Sequence, residues 1–352
     1  MKEAIVSPGP KVAIHDVPIP KPNADQVLIK VVVSGSNPKD WKRPNFSKVA
    51  HNSGDDIAGI VEEVGENVIE FKKGDRVAAF HEMMSNHGSF AEYAIAWAYT
   101  TFHLPKKTSF EEGSTIPLAA MTAAVGLYQR LLLPEPWNAT TKPLPLIVYG
   151  ASGAVGAFAV KLARLSNIHP IIAIAGRGQK FVETIIDRSK GDTIVDYGNG
   201  NEAVVQGIKD ALKANNITEI HYAFDGIAEH NSYQNISQIL SKTGGSKITL
   251  VLPAKEYKFP EYIENSMTMV GTVHKDNAPD SAQGKAGIIN GGKDFGFVFF
   301  RFFSKGLQEG WFTAHPYEVV PGGLNGVEKG LNDLMNGVNS ATKYVFKIED
   351  TK

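Results

Sequence analysis

The chain has no cysteine among its 352 residues. Disulfides, thiol nucleophiles, iron–sulfur clusters and zinc sites built on thiolates are therefore excluded. An excess of one charge is missing too: 36 basic residues stand against 37 acidic ones, for a formal net charge of −1, with both signs mixed along the chain. That is not the electrostatic footprint of a nucleic-acid or membrane-surface binder, and neutral small molecules suit it better. No apolar run approaches the roughly 18 residues of a membrane helix. The opening "MKEAIVSPGPKVAIHDVPIP" has neither a long apolar core nor a small-residue cleavage site, so a cytoplasmic protein is expected. Ten histidines remain as metal ligands, but only His81 and His87, in "FHEMMSNHGSF", lie close in sequence, without H-E-x-x-H spacing. They are read as ordinary packing or surface histidines.

The length favours two domains, since single cores rarely grow past roughly 250–300 residues. To about Ala120 the chain offers short β-like runs ("AIV", "VLIKVVVSG", "IAGIVEEVG", "DRVAAF", "FAEYAIA") broken by Gly, Pro, Asn and Asp, the texture of antiparallel strands and turns. From Thr122 to His274 apolar runs alternate with helical segments: "LPLIVYG", Ala154–Ser166, "HPIIAIAG", Lys180–Ser189, "DTIVDY", Glu202–Lys213, "EIHYAFDG", His230–Leu240, "KITLVL" and "MTMVGTV". Such alternation predicts a parallel sheet with helices on both faces, an α/β fold. From about Ala278 the pattern changes again. "DFGFVFFRFFSKGLQEG" reads as a buried aromatic helix and "KYVFKIE" as a closing strand, so this tail is expected to pack on the first, β-rich part. The expected division is 1–124, 125–275 and 276–352.

"IVYGASGAVG" is a strand running into Gly150, Gly153 and Gly156, with a helix beginning inside the glycines. In a dinucleotide fold such glycines let the backbone turn tightly and approach a pyrophosphate, while the helix N-terminus offers free amides and a partial positive charge. Gly150, Ser152, Gly153, Ala154, Val155 and Gly156 are the cofactor candidates here. An acidic residue about 20 positions on would hold the ribose 2′-hydroxyl of NAD. That place instead carries Gly176 and Arg177, followed by Lys180. Both cations suit a 2′-phosphate, which predicts NADP(H). Leu252 and Pro253 after "KITLVL", and Gly271, Thr272 and Val273 closing "MTMVGTV", are expected at carboxyl edges of strands, where an open α/β sheet binds its ligand.

Together "NPKDWK", "GDDIAGIVEEVGENVIEFKKGDRV", "GSFAEYAI", "IPLAAMTAAVGLY", the glycine loop and "ATKYVFKI" resemble the medium-chain dehydrogenase/reductase superfamily over essentially the whole chain. Within it the chain resembles the zinc-free branch of NADPH quinone oxidoreductases and fungal enoyl reductases, including trans-acting partners of polyketide synthases in secondary metabolism. "HPIIAIAGRG", "SKGDTIVDY" and "HPYEVVPGGLNGVEKGL" look fungal. The resemblance implies a GroES-like, mainly β catalytic domain, a Rossmann doubly wound parallel-sheet domain, and a nicotinamide in the cleft. Zinc-dependent members take a cysteine after the first strands and a histidine in Gly-His-Glu; here those places hold "SNPKDW" and Gly54-Asp55-Asp56. The chemistry left open without that Lewis acid is reduction of a carbonyl-conjugated alkene, or of a quinone, since the charge developed can be met by hydrogen-bond donors. By resemblance, Lys42 stands near the substrate as an oxyanion contact or proton relay, with Asp40 orienting it, and Asn37 and Thr122 lie near the nicotinamide. Tyr197 matches a tyrosine near the adenosine phosphate, and Lys343 a lysine reaching the NADP cleft. The implied partners are an enone, enoyl thioester or quinone and a polyketide synthase carrier domain, for a monomer or homodimer; a catalytically silent NADPH-binding protein is the alternative class.

Overall fold

The structure is a computed structural model describing residues 1–253, 256–274 and 292–352. Its residues form two compact units, Met1–Met121 with Gly271–Lys352, and Thr122–Val270. The boundary expected at residue 275 and the change of texture near Ala278 lie outside the described residues.

The first unit starts with an antiparallel pair, β1 (Lys2–Ser7) and β2 (Lys11–Asp16). Strand β3 (Gln26–Gly35) follows, a ten-residue run rich in Val, Leu and Ile whose chemistry suits a pleated, largely buried surface. Helix α1 (Lys39–Ser47) comes next, then β4 (Asp56–Val64), β5 (Arg76–Phe80), β6 (Tyr93–Trp97) and β7 (Thr101–His103). A capping box on Ser109 and Glu112 starts the short α2 (Phe110–Gly113), and α3 (Pro117–Ala124) leads into the second unit.

That unit holds β8 (Leu146–Tyr149), α4 (Ala154–Leu165), β9 (Ile171–Ala175), α5 (Gln179–Glu183), β10 (Thr193–Asp196), α6 (Asn201–Ala214), β11 (Tyr222–Asp225), α7 (Ser232–Ser237), β12 (Ser246–Leu250) and β13 (Ile263–Met267). Its strands are paired in parallel in the order β10-β9-β8-β11-β12-β13, reversing direction of growth at β8. This is the doubly wound arrangement, whose ligand site lies beyond the carboxyl ends of the strands at the switch point. Central strands β8 and β9 are buried along their whole length, which explains their unbroken apolar sequences. Ile147, Ile172, Ile174, Ala223 and Ile248 pack there with Val204, Ile208 and Leu212 of α6.

The chain then completes the first unit with α8 (Gly292–Glu309), β14 (Tyr317–Val319), α9 (Val327–Met335) and β15 (Lys343–Lys347). The sheet runs β14-β15-β3-β4-β5-β7, with β6 also on β3. Val27, Ile29, Ile57 and Val61 from its centre pack with Phe90, Leu324, Leu331 and Phe346. On α8, Phe299, Phe300 and Phe303 are fully buried, as expected of an aromatic core helix, while Phe297 lies outside under the Arg301 guanidinium, 3.9 Å from its ring centroid.

Three local expectations are corrected. "MTMVGTV" is not the sixth strand: β13 is "IENSM", and Val270–His274 forms a 3₁₀ turn. β13 is a sheet edge with one ladder, to β12, so it tolerates the polar Glu264, Asn265 and Ser266, whereas Val270 and Val273 are apolar because the turn is buried. The helix expected over Lys180–Ser189 stops at Glu183, and a separate 3₁₀ turn, Arg188–Lys190, is capped by Asp187. The helix expected from His230 begins at Ser232, because His230 and Asn231 have positive φ.

Candidate functional site

In the second unit the glycine loop follows β8 at the switch point. Gly150 has φ +79°, and a Cβ on Gly156 would stand 2.2 Å from the Gly150 carbonyl oxygen, so α4 closes on the turn only with glycine there. Gly153 is the N-cap of α4 and carries no side-chain cap, leaving the first amides of the helix for an outside acceptor. Gly153 is exposed, with Ser152, Ala154 and Val155 half-buried beside it. These residues fit a pyrophosphate: bare backbone, uncapped amides and a helix N-terminus coincide. Gly156→Ala is expected to cost about 1–3 kcal/mol of stability through this clash, read as a lower thermal midpoint.

At the end of β9, Gly176 has no room for a side chain because the Tyr197 ring lies against it, 2.5 Å from a built Cβ. Tyr197 is 45% exposed and stacks on Tyr149, with ring centroids 6.4 Å apart. It belongs to the turn after β10, not to the strand itself. The structure thus brings Gly176, Tyr149 and Tyr197 together, with Arg177 and Lys180 exposed just beyond. Leu252 and Pro253 follow β12, and the Leu252 carbonyl accepts from the Tyr257 hydroxyl at 2.7 Å. Thr122 is buried in the last turn of α3. Gly271, Thr272 and Val273 lie in the 3₁₀ turn described above.

The first unit contains a buried polar network that follows from sheet register. Gly35 pairs with Asp56 across β3–β4, and with Val345 across β3–β15. Two residues beyond Gly35 comes Asn37, and two before Val345 comes Lys343, so the three side chains converge. The Asn37 Nδ2 donates to Asp56 Oδ2 at 2.7 Å, and the Lys343 ammonium contacts Asp56 Oδ2 at 2.5 Å and Asn37 Oδ1 at 3.0 Å. Asp56 Oδ1 accepts the Leu118 amide at 2.7 Å, at the start of α3. Gly35 makes the convergence possible, since a Cβ there would stand 2.2 Å from the Ser114 carbonyl oxygen and 3.0 Å from Lys343 Cε.

A second group adjoins it. Asp56 pairs with Phe80 across β4–β5, and one step further Asp55 meets His81, whose Nδ1 lies 2.8 Å from Asp55 Oδ1. The Lys39 ammonium contacts Asp55 Oδ2, Asp40 Oδ1 at 2.8 Å, and the Ser53 carbonyl. Asp40 Oδ2 accepts the Asn37 amide at 2.7 Å, joining the two groups. Burial pushes the Asp40 carboxyl up to about 7 despite the Lys39 ammonium beside it. Burial acts on Asp55 in the same sense, but Lys39 and His81 outweigh it and hold its carboxyl below the usual range. For Lys39, burial disfavours the charge, and Asp40 and Asp55 more than restore it.

Lys42 sits one turn along α1, half-buried, with its Nζ 5.4 Å from the Trp41 ring centroid. The Asp40 carboxyl contacts the Lys39 ammonium and the Asn37 amide, and its carbonyl accepts from the Ser53 hydroxyl. The sequence alone assigns no role in this network to Lys39, Asp55, Asp56 or His81. The available signal was the pair of acids heading an otherwise apolar strand, "DDIAGIV", which demands buried partners. Among the described residues no three His, Asp or Glu side chains are grouped to hold a metal ion, and no helix is long and apolar enough to cross a membrane.

Residues 23–106 match the family model of the alcohol dehydrogenase GroES-like domain. Trans-enoyl reductase fsr4 of Gibberella fujikuroi is 50% identical over 331 residues, covering 93% of this chain and 92% of its own. Trans-enoyl reductase resD of Aspergillus sclerotiorum is 30% identical over 373 residues, covering 98% and 100%. An alcohol dehydrogenase superfamily protein from Novosphingobium aromaticivorans, only 19% identical, shares the fold with a TM-score of 0.76 over 99% of both chains. With the GroES-like β unit, the doubly wound sheet and these relatives, the chain belongs to the medium-chain dehydrogenase/reductase superfamily, in its zinc-independent, fungal trans-enoyl-reductase-like branch.

Proposed function

We propose that this protein reduces carbon–carbon double bonds conjugated to a carbonyl, using NADPH and no zinc, with an enoyl thioester on a polyketide synthase carrier domain as its substrate form. The observation that carries this reading is the 50% identity to a trans-enoyl reductase over 93% of the chain. Bound NADPH would supply the hydride. The amides of Gly153 to Gly156 would hold the pyrophosphate, Arg177 and Lys180 the 2′-phosphate, and Gly176 and Tyr197 the adenosine end. As charge grows on the substrate carbonyl oxygen, Lys42 meets it with a hydrogen bond. Asn37 cannot act as an acid; its amide is held by Asp56 and Lys343 as a fixed polar contact. Thr122 and Leu252 of the second unit are proposed nicotinamide contacts, and so, each by itself, are Gly271, Thr272 and Val273.

The test is a panel of enoyl thioesters, enones and quinones followed by NADPH absorbance. Fastest turnover of enoyl thioesters supports the reading, turnover of quinones alone redirects it, and cofactor binding without oxidation of any substrate leaves a silent binding protein. NADPH is expected to bind at least about tenfold tighter than NADH, since each charged hydrogen bond to the 2′-phosphate is worth roughly 1.5–3 kcal/mol. Arg177→Glu with Lys180→Glu should remove that preference. Equal affinities in the parent, measured by fluorescence titration, would end the assignment of these two cations.

A further inference from the structure

An ion pair joins Lys39, in "SNPKDW", to Asp55, in Gly54-Asp55-Asp56. Lys39 opens α1, whose later turn carries Lys42; Asp55 immediately precedes β4 and Asp56. Apart from Lys39, neither Asp40 Oδ1 nor Asp55 Oδ2 has a hydrogen-bond partner among the described residues. Both carboxyls are buried, whereas the Lys39 side chain is 21% exposed. The remaining oxygens are committed elsewhere, Asp40 Oδ2 to the Asn37 amide and Asp55 Oδ1 to His81. One ammonium therefore compensates two carboxyls and a carbonyl that converge from α1, from the turn before β4, and from Ser53 between them.

We propose that the Lys39 ammonium is a built-in cation that clasps the start of α1 to the head of β4, and that it is a positioning residue for Asn37 and Lys42. The carboxyl pair with the Ser53 carbonyl is then an ammonium-shaped cradle, which a small alkylammonium fills when the lysine side chain is removed. The positioning half rests on the proposed enoyl reduction; the cradle does not. Against burial, Asp40 and then Asp55 hold the Lys39 ammonium charged, and Lys39 followed by His81 holds the Asp55 carboxyl below its usual range, in agreement with a charged clasp.

Lys39→Ala opens the cradle and keeps helix propensity. Its unfolding midpoint should fall by at least about 5 °C, and n-propylamine should restore most of that loss while n-propanol does not. On the best enone, the variant should lose about tenfold in kcat with its KM for NADPH within about twofold, and Lys39→Arg should recover most of the rate. Should Lys39→Ala fail to fold, the comparison is Lys39→Met against Lys39→Met with Asp55→Asn. Removing the facing charge should recover stability, because the two effects share one interaction. A Lys39→Ala midpoint within about 2 °C of the parent, equal rescue by amine and alcohol, or a double variant no more stable than Lys39→Met each overturns the clasp. A clasp supported by stability and amine rescue, with turnover unchanged, overturns the positioning role alone. If the parent reduces no panel substrate, enoyl reduction fails while the stability arms still decide the cradle.

Discussion

Lys42→Ala is expected to lower the single-turnover rate of hydride transfer to an enone by about 10²-fold, while NADPH affinity stays within about twofold of the parent. The chain has no thiolates, and the segment Gly54-Asp55-Asp56 contains no histidine. With the usual Lewis acid's ligands gone, the growing charge on the substrate oxygen needs a hydrogen-bond donor, and the lysine of "NPKDWK" is the one the resemblance supplies. Lys42 is half-buried on α1 and takes no part in the Asn37–Asp56–Lys343 contacts, so its truncation leaves that buried ion pair in place. Folding and cofactor affinity should therefore survive, which separates a chemical role from a structural one. A rate within about threefold of the parent on the best enone would return Lys42 to the surface and leave a water or backbone amide as the donor.

The second large effect is on stability. Asp56→Asn should lower the unfolding midpoint by about 10 °C, since removing one partner of a buried ion pair costs about 3–5 kcal/mol and a domain of this size loses about 2–4 °C per kcal/mol. Asp56 is fully buried and Lys343 is 5% exposed, so water cannot replace the lost charge. An asparagine would also turn an amide NH₂ toward Asn37 or the Leu118 amide, both of which now donate to Asp56. The companion variant, Asp56→Asn with Lys343→Met, should be less destabilised than the sum of its parts, because the unpaired ammonium is gone. Calorimetry or denaturant titration showing simple additivity would mean that the pair contributes no coupling energy.

The elements that could be read in advance were those set by local pattern. "LPLIVYG" and "IIAIAG" are unbroken apolar runs because β8 and β9 are covered on both faces, and the glycine loop announced the strand–turn–helix unit at the switch point. The sixth strand was misplaced for the same physical reason: apolar content reports burial, and the buried segment there is a turn. Individual site residues split along the same line. Gly150, Gly153 and Gly156 are proposed to bind through their own backbone, so neighbouring sequence suffices to nominate them. Lys343 was singled out only by resemblance, and nothing local showed it paired with a residue 287 positions away.

From sequence alone came the two-domain composition, the doubly wound half with its phosphate-loop candidate, the lack of an acidic residue after the second strand, and the loss of thiolate metal chemistry. These depend on residue type and short spacing, which a linear chain displays. Only the tertiary structure decided that Asn37, Asp56 and Lys343 share one ion pair, and that Lys39, Asp40, Asp55 and His81 form another group beside it. Those meetings are fixed by the pairing of β3 with β4 and β15, and of β4 with β5. A shift of one residue in any of these ladders would turn the side chains to the opposite face, and register between distant strands is set by the packing of the whole sheet.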